Sequence, residues 1–486
     1  MRPSVCQDGS PAKVGAETGV PPSREHIVGW ATLSVIFVAL ALLRPVDHDE
    51  SQYVAATVLT AHGWLPYRDF AYLQTPLQPF LFGPLAWIAG PWIWPVLRIA
   101  NAVLGVATVG FTHAAMRASG VRAGVALAAA GLFATCDILL FGIGTARNDA
   151  LPAALLAIAI WRIVRGGSPA LVGALLAAAA AAKISYALPA AAYELYALRH
   201  REHGPALVAL GAAPVVAFVG WTFAFSPEGF LFGTLHFPAL APAEFYATRP
   251  WKMSWAAKGV DTLKFLALGA ALPALVVVAR DAWARRTLGV LDWLIAAGLV
   301  AALLPFPSWR QYLLPLLPPL FVRLAILWKQ RPPNRSVFVA FAVIGVIPSV
   351  AAIVEPGRLS LSQALRDGVA LKRVLDAHHI AGPIATLSPE MLPMTGRLPD
   401  PRFAAGPFYF RSHALLDAAA ERRLKLMSRD RLAPAPVILT GGESEATAGD
   451  PALDALMVRG RRIGGAGRFS LYATPASPPP ARHNSP

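Results

Sequence analysis

Asp47-His48-Asp49-Glu50-Ser51-Gln52-Tyr53, continued by Gly63-Trp64-Leu65-Pro66-Tyr67-Arg68-Asp69-Phe70 and Thr75-Pro76-Leu77-Gln78-Pro79, is a polar stretch set directly behind an apolar run at residues 27 to 43. If that run crosses a membrane, three carboxylates stand where a helix leaves the hydrocarbon layer. The composition supports a crossing. Hydrophobic residues make up 55% of the 486 and charged residues 15%, against roughly 25% charged in soluble domains. Apolar runs near the ~20-residue spanning length recur as far as residue 354, with Arg or Lys clusters between them.

Working outward, the runs predict spans at about 27–43, 96–116, 123–143, 150–164, 169–182, 184–198, 205–225, 262–279, 290–304, 312–327 and 336–354. The segment 77–90 is apolar but short, and it is fenced by Pro76, Pro79, Gly90 and Pro91. It reads as an interfacial or re-entrant helix. Basic residues test this choice, because cytoplasmic loops collect Lys and Arg. Arg117 and Arg122, Arg162 and Arg165, Arg199 and Arg201, Arg280 with Arg285 and Arg286, and Lys329 with Arg331 and Arg335 share a side with Arg2, Lys13 and Arg24 only if 77–90 does not cross. That side is then the cytoplasm. The outer face receives the stretch 47–79, Arg98, the turn Thr145-Ala146-Arg147-Asn148-Asp149, Lys183, the loop 226–260 and Pro307-Ser308-Trp309-Arg310-Gln311-Tyr312.

The expected fold is an all-α polytopic membrane bundle of about eleven transmembrane helices with a small C-terminal α/β soluble domain. Residues 1–26 form a cytoplasmic tail leading into a retained anchor, because Arg44-Pro45 rather than a small-residue cleavage site closes the first run. Residues 27–354 form the bundle, with a first outer loop at 44–95. Residues 355–486 form the outer-face domain, with strand-like runs at 383–387, 436–440 and 469–473, helical patterns at 362–377 and 412–427, and a disordered Pro-rich end. Within the bundle, Gly173-Ala174 and the six alanines Ala177 to Ala182 predict close helix packing. The net charge of +15 is spread in clusters between apolar segments, which speaks for topology signals and against a nucleic-acid surface. Cys6 and Cys136 offer no disulfide framework.

The simplest reading of Asp47 to Glu50 is a helix cap, with Asp47 three residues before Glu50 and Gly63 ending the helix. Val54, Val58 and Leu65 then follow the spacing of a helix lying in the membrane interface. Three carboxylates in four residues exceed what a cap needs. Arg147, Asp149 and Lys183 sit between apolar runs, where ionisable groups are costly and face a cavity, a partner or a substrate. Snorkelling of Lys183 and an internal ion pair of Arg98 are the structural alternatives. Carboxylates beside Arg and Lys at an outer surface suit transfer of a group carried on an anionic lipid: a carboxylate takes the acceptor proton and the cations hold the departing phosphate. Arg98, Arg147, Lys183 and Arg310 are the candidate phosphate contacts. The solitary His236 reads first as a solvated histidine.

The order Asp49-Glu50, Tyr53, Gly63, Pro66-Tyr67-Arg68-Asp69 and Thr75-Pro76-Leu77 resembles the first outer loop of the GT-C glycosyltransferases. The likeness is to the bacterial branch with protein mannosyltransferase-like, aminoarabinose-transferase-like and rhizobial galacturonosyltransferase-like enzymes. Arg98-Ile99-Ala100-Asn101-Ala102, Arg147-Asn148-Asp149-Ala150-Leu151, Gly173 to Lys183 and Tyr312-Leu313-Leu314-Pro315 extend it across about residues 27 to 330. The resemblance implies a hexosyl or pentosyl transferase that uses a polyprenyl-phosphate sugar donor and inverts the anomeric centre. Its acceptor would be a lipid, glycan or protein at the outer face of the inner membrane. It further implies Asp49 as catalytic base with Glu50 as acidic neighbour, Asp149 as the second outer-loop acid, and Tyr67 and Arg68 at the substrate. No cofactor is called for, apart from a divalent ion at Asp47 and Asp49, whose spacing resembles the metal-binding DxD of some relatives. From another functional class, a transporter or flippase could use the same buried charges, although no inverted repeat is visible.

Overall fold

The computed structural model describes residues 24–285, 287–329, 334–408, 415–426, 437–441 and 450–474. Most of the expected tail and the whole of the expected disordered end lie outside the described residues. The Ala-, Leu- and Val-rich runs fold as helices, which satisfy their own backbone groups and so can stand in lipid. The first ten are α1 (Arg24–Leu43), α2 (Glu50–Ala61), α3 (Leu77–Ala89), α4 (Ile93–Ala118), α5 (Ala123–Ala134), α6 (Asp137–Ile143), α7 (Ala150–Val164), α8 (Pro169–Ala182), α9 (Ala187–Arg199) and α10 (Pro205–Phe225). The loop that follows carries α11 (Pro227–Leu231) and α12 (Phe237–Phe245). The bundle closes with α13 (Trp255–Ala267), α14 (Ala271–Arg285), α15 (Val290–Leu303), α16 (Leu317–Trp328) and α17 (Arg335–Val354).

This is a polytopic membrane bundle. Leu77–Ala118, Pro205–Phe225, Arg310–Trp328 and Arg335–Val354 are each long and apolar enough to cross, and the bent pairs α5/α6 and α13/α14 bring the number to six if each is one span. Shorter apolar helices stand at Ile27–Leu43, Ala150–Val164, Pro169–Ala182 and Val290–Leu303. Helix length by itself therefore carries only part of the eleven expected crossings. The expected straight span 262–279 is instead bent by 101° between α13 and α14. Gly269 at φ +127° makes the corner, and a side chain there would meet the Cys136 Cα at 2.7 Å. The segment 77–90 forms α3 and runs through a 3₁₀ turn, Gly90–Trp92, into α4, giving 42 residues of helix. Gly90, at φ +51°, breaks the run between α3 and α4.

The glycine and alanine run of α8 lies against α10. A Cβ on Gly173 would meet the Val208 carbonyl oxygen at 2.0 Å, and one on Gly211 would meet that of Ala170 at 1.8 Å. Backbone cannot step aside as a flexible side chain can, and small residues are what let helices associate this closely in lipid. Gly211→Leu is expected to lower the thermal midpoint of the detergent-purified protein, by an overpacking cost of roughly 1–3 kcal/mol. Gly124→Leu on α5, where nothing lies within 4 Å, is the control that should leave the midpoint in place.

Residues beyond 354 build α18 (Leu361–Ala377) and a four-stranded sheet, with short helices α19 (Ala418–Arg423) and α20 (Pro451–Arg459). The strands β1 (Ile384–Ala385), β2 (Val437–Thr440), β3 (Arg461–Ala466) and β4 (Phe469–Ala473) lie in the order β1-β2-β4-β3, with only β1 and β2 parallel. β3, with two glycines in its six residues, escapes the sequence reading because it lacks an apolar alternation. The C-terminal part is joined to the stretch between α1 and α3: Val46 N–H donates to the Leu359 carbonyl at 2.8 Å, and Ala71 and Leu73 share an apolar cluster with Phe403 and Ile438. This corrects the expectation of an interface-lying α2. From Glu50 to Leu59 every residue of α2 is buried, and its apolar side chains share a cluster with Phe82 and Ala86 of α3 and with Leu361 and Leu371 of α18.

Candidate active site

The first turn of α2 divides the three carboxylates. Asp47 Oδ1 accepts from the Asp49 N–H at 2.9 Å, and Glu50 Oε2 accepts from the Asp47 N–H at 3.0 Å. Part of the capping reading is thus realised. Glu50 turns inward, fully buried, and its Oε1 accepts from Trp94 Nε1 at 3.0 Å, Arg98 Nε at 2.7 Å and the Ala146 N–H at 2.7 Å. Burial pushes this carboxyl up, but Arg98 and the two backbone donors outweigh it and leave the group below its ordinary value. Arg98 spends its remaining donors on the carbonyls of Ala41, Arg44 and Pro45 at 2.8, 2.6 and 3.2 Å. Glu50 and Arg98, expected at the chemistry and at the phosphate, thus form a sealed pair that ties α2 to α4 and to the end of α1.

Asp47 and Asp49 turn toward Arg147. The Arg147 guanidinium is bonded to Asp49 Oδ2, lies 3.5 Å from Asp47 Oδ1, and donates through Nε to Asp149 Oδ2 at 3.2 Å. Lys183 bonds the other Asp149 oxygen. The turn holding Arg147 is fixed by backbone contacts: its carbonyl accepts from Asn101 Nδ2 at 2.7 Å and Gln78 Nε2 at 3.3 Å, while Asn148 Oδ1 accepts from Tyr53 OH at 3.0 Å. Burial works against the charge on Arg147, but Asp49, Asp47 and Asp149 hold its pKa well above the usual value, so it is a permanent cation. Burial draws the Lys183 ammonium down, against the pull of Asp149. Exposure falls along the cluster, from 46% for the His48 side chain to 16% for Asp49 and 1% for Asp149. His48 and Asp49 therefore stand at its mouth.

The other expected site residues are placed differently. Arg310 donates to Asp137 Oδ2 at 2.8 Å and lies 3.9 Å over the Phe141 ring, whose centroid is also 5.1 Å from the Arg147 guanidinium, so it borders the cluster through a shared aromatic. Tyr67, at φ +68°, is buried and its hydroxyl donates to the Gln74 carbonyl. Arg68 is paired with Asp69 at the surface and lies 5.7 Å from the Phe225 ring. Neither touches the cluster: Gln74 holds the Tyr67 hydroxyl and Asp69 holds Arg68. His236 is exposed. Two contributors escaped the sequence reading. His48 Nε2 is 3.1 Å from Asp49 Oδ1, and Arg44 lies 4.9 Å from the Phe141 ring with its pKa lowered to about 10 by burial and by Arg310. In the sequence Arg44 reads as the residue that closes the first apolar run.

One ligand atom each from Asp47, His48 and Asp49 lies within 4.8 Å of the others, as a small metal site requires. The Arg147 guanidinium, however, already contacts both carboxylates. A divalent cation beside it would face a fixed positive charge, so as arranged the residues hold an arginine where the DxD comparison would put an ion.

In sequence, the chain matches no protein-family profile and no curated protein. In structure it is similar to ArnT from Cupriavidus metallidurans bound to undecaprenyl phosphate, at 14% identity and a TM-score of 0.63 over 94% of this chain and 99% of ArnT. It is likewise similar to the same protein in the apo state, at 15% identity and a TM-score of 0.59 over 93% and 98%. ArnT belongs to the GT-C superfamily of membrane glycosyltransferases. The two comparisons give this chain the fold of ArnT along almost its whole length.

Proposed function

We propose that the protein is an inner-membrane glycosyltransferase that moves one hexose or pentose from a polyprenyl-phosphate donor to a lipid, glycan or protein acceptor on the periplasmic face, with inversion. The observation that carries this reading is the division of labour at Asp49: one carboxylate oxygen on Arg147, the other beside His48, with Lys183 behind them on Asp149. The undecaprenyl phosphate held by ArnT supports the lipid class of the donor. In the reaction, donor phosphate oxygens compete with the carboxylates for Arg147 and Lys183. Asp49 takes the proton of the acceptor hydroxyl, the acceptor oxygen bonds to the anomeric carbon from the side opposite the phosphate, and the carbon–oxygen bond to phosphate breaks. Polyprenyl phosphate leaves with its new charge on the two cations. Eleven crossings, a cytoplasmic N-terminus and a periplasmic domain at 355–486 belong to the same reading. Reporter fusions near residues 119 and 202 should report inside, and those near 68, 240 and 420 outside.

The direct test offers purified protein a panel of undecaprenyl-phosphate hexoses and pentoses together with the membrane glycolipid fraction, and follows released undecaprenyl phosphate. No release from any member of the panel, with any fraction, would overturn the reading. Two further results are expected. Arg147→Lys keeps the charge but loses the planar pair of donors, and should raise the donor KM about 10- to 100-fold, the scale of a hydrogen bond to a charged group, while the acceptor KM stays put. Chelation with EDTA should leave the rate unchanged, because Arg147 takes the place of the ion; a loss restored by added divalent metal would show that Arg147 swings away and a cation enters.

A further inference from the structure

A cavity of about 350 Å³ opens between the first outer loop and the C-terminal domain, lined by Val46 and His48 on one side and by Glu355, Arg358, Ser388, Glu390 and Arg468 on the other. Its size is at the lower end of ligand sites, which run from about 300 to 1,000 Å³. His48 is the partition. Its ring lines the cavity while Nε2 stands 3.1 Å from Asp49 Oδ1, the oxygen turned away from Arg147. His48 thus links the cavity to the side of Asp49 turned away from Arg147. An attacking hydroxyl must come from that side if the donor phosphate leaves toward Arg147 and Lys183.

The lining is charged rather than apolar. Arg358 is paired with Glu355 at 3.2 Å on the exposed rim. Glu390 is buried at 6% exposure, which sets a carboxylate in the wall as an acceptor for hydroxyl donors. Arg468 makes no ion pair among the described residues, yet it is held in place by its backbone. It forms the β3–β4 turn with Gly467, whose φ of +54° and close approach to the Asp367 carboxylate exclude a side chain there. Its carbonyl also lies against Gly441.

We infer that this cavity is the acceptor site, shaped for a carbohydrate head group that carries an anionic substituent: Arg468 takes the anion, Glu390 and Ser388 take sugar hydroxyls, and His48 passes the reacting hydroxyl to Asp49. The inference rests on the glycosyltransferase reading for its role, and it supplies the C-terminal domain with one. The shared chemistry is a hydroxyl-rich ring with one negative charge, whether phosphate or carboxylate.

The test measures binding by the full-length protein carrying Asp49→Asn, so that no transfer intervenes, with labelled glucose, glucose 1-phosphate and galacturonate as probes. One or both anionic sugars should bind at least about 10-fold tighter than glucose, the scale of a charge-assisted hydrogen bond, and whichever binds tighter identifies the anion. Arg468→Gln should remove that preference and Arg468→Lys should restore much of it. Ser388→Trp, which fills the cavity, should abolish binding of all three sugars. Equal binding of the three probes would overturn the inference, as would anion binding that survives both Arg468→Gln and Ser388→Trp but is lost in Arg147→Lys. Absence of transfer from every polyprenyl donor, with cavity binding intact, would sink the enzymatic role alone.

Discussion

Asp49→Asn should lower sugar transfer by about 10²- to 10⁴-fold, the usual contribution of a positioned general base, while donor binding and thermal midpoint stay near those of the unaltered protein. The amide keeps an oxygen for Arg147 and a polar atom for His48, so the cluster remains assembled, but it cannot take up the acceptor proton. The neighbouring carboxylate gives the opposite result for a geometric reason. Glu50 has both oxygens committed to donors, from Trp94 at 3.0 Å, Ala146 at 2.7 Å and Asp47 at 3.0 Å besides Arg98, and offers none to an acceptor hydroxyl. The deciding measurement is single-turnover release of undecaprenyl phosphate by the purified variant, with circular dichroism and a melting curve in parallel. Turnover at the unaltered rate would return Asp49 to an ion-pairing role, and His48 would become the group to examine.

Glu50→Ala should be lost as folded protein rather than as activity. Removing it leaves the Arg98 guanidinium buried at 0% exposure without a counter-charge, a change that costs about 3–5 kcal/mol at buried pairs. The same substitution releases the Trp94 and Ala146 donors, so the anchor between α2, α4 and the Arg147 turn is cut in one step. Membrane extracts should show low yield and a melting midpoint many degrees lower. Replacing both partners, Glu50→Met with Arg98→Met, removes the orphaned charge and should regain part of the loss. A folded Glu50→Ala protein with a normal midpoint and no transfer would instead make Glu50 part of the chemistry. Together the two variants separate adjacent carboxylates that composition treats as one cluster.

His48 shows where the sequence reading of the site ran out. Between two aspartates it reads as the middle of a DxD spacing, and only the fold sets its ring between Asp49 and a cavity whose far wall is more than 300 residues away in the chain. Arg310 shows the converse. Its place in the polar stretch 307–312 was legible, but its partner Asp137 lies inside a segment that reads as plain hydrocarbon span, and the helix break at Thr135–Cys136 that presents Asp137 leaves no proline or glycine signal of its own. Arg147 and Lys183 were legible as charges too costly to be idle. That both would converge on Asp149 was not.

What the chain determined by itself is local and additive: which runs tolerate hydrocarbon, which small residues let α8 approach α10, where the strands β1, β2 and β4 fall, and that carboxylates and cations gather at one end of the bundle. These follow from hydropathy, periodicity and charge within a window of some twenty residues. What only the tertiary structure decided is partnership. Asp49 faces Arg147 and Glu50 faces Arg98 because successive side chains on a helix point about 100° apart, and each finds a cation delivered by a different element, one by the turn before α7 and one by α4. Buried charges must be matched one to one, and the match depends on distances across the fold that no stretch of sequence contains.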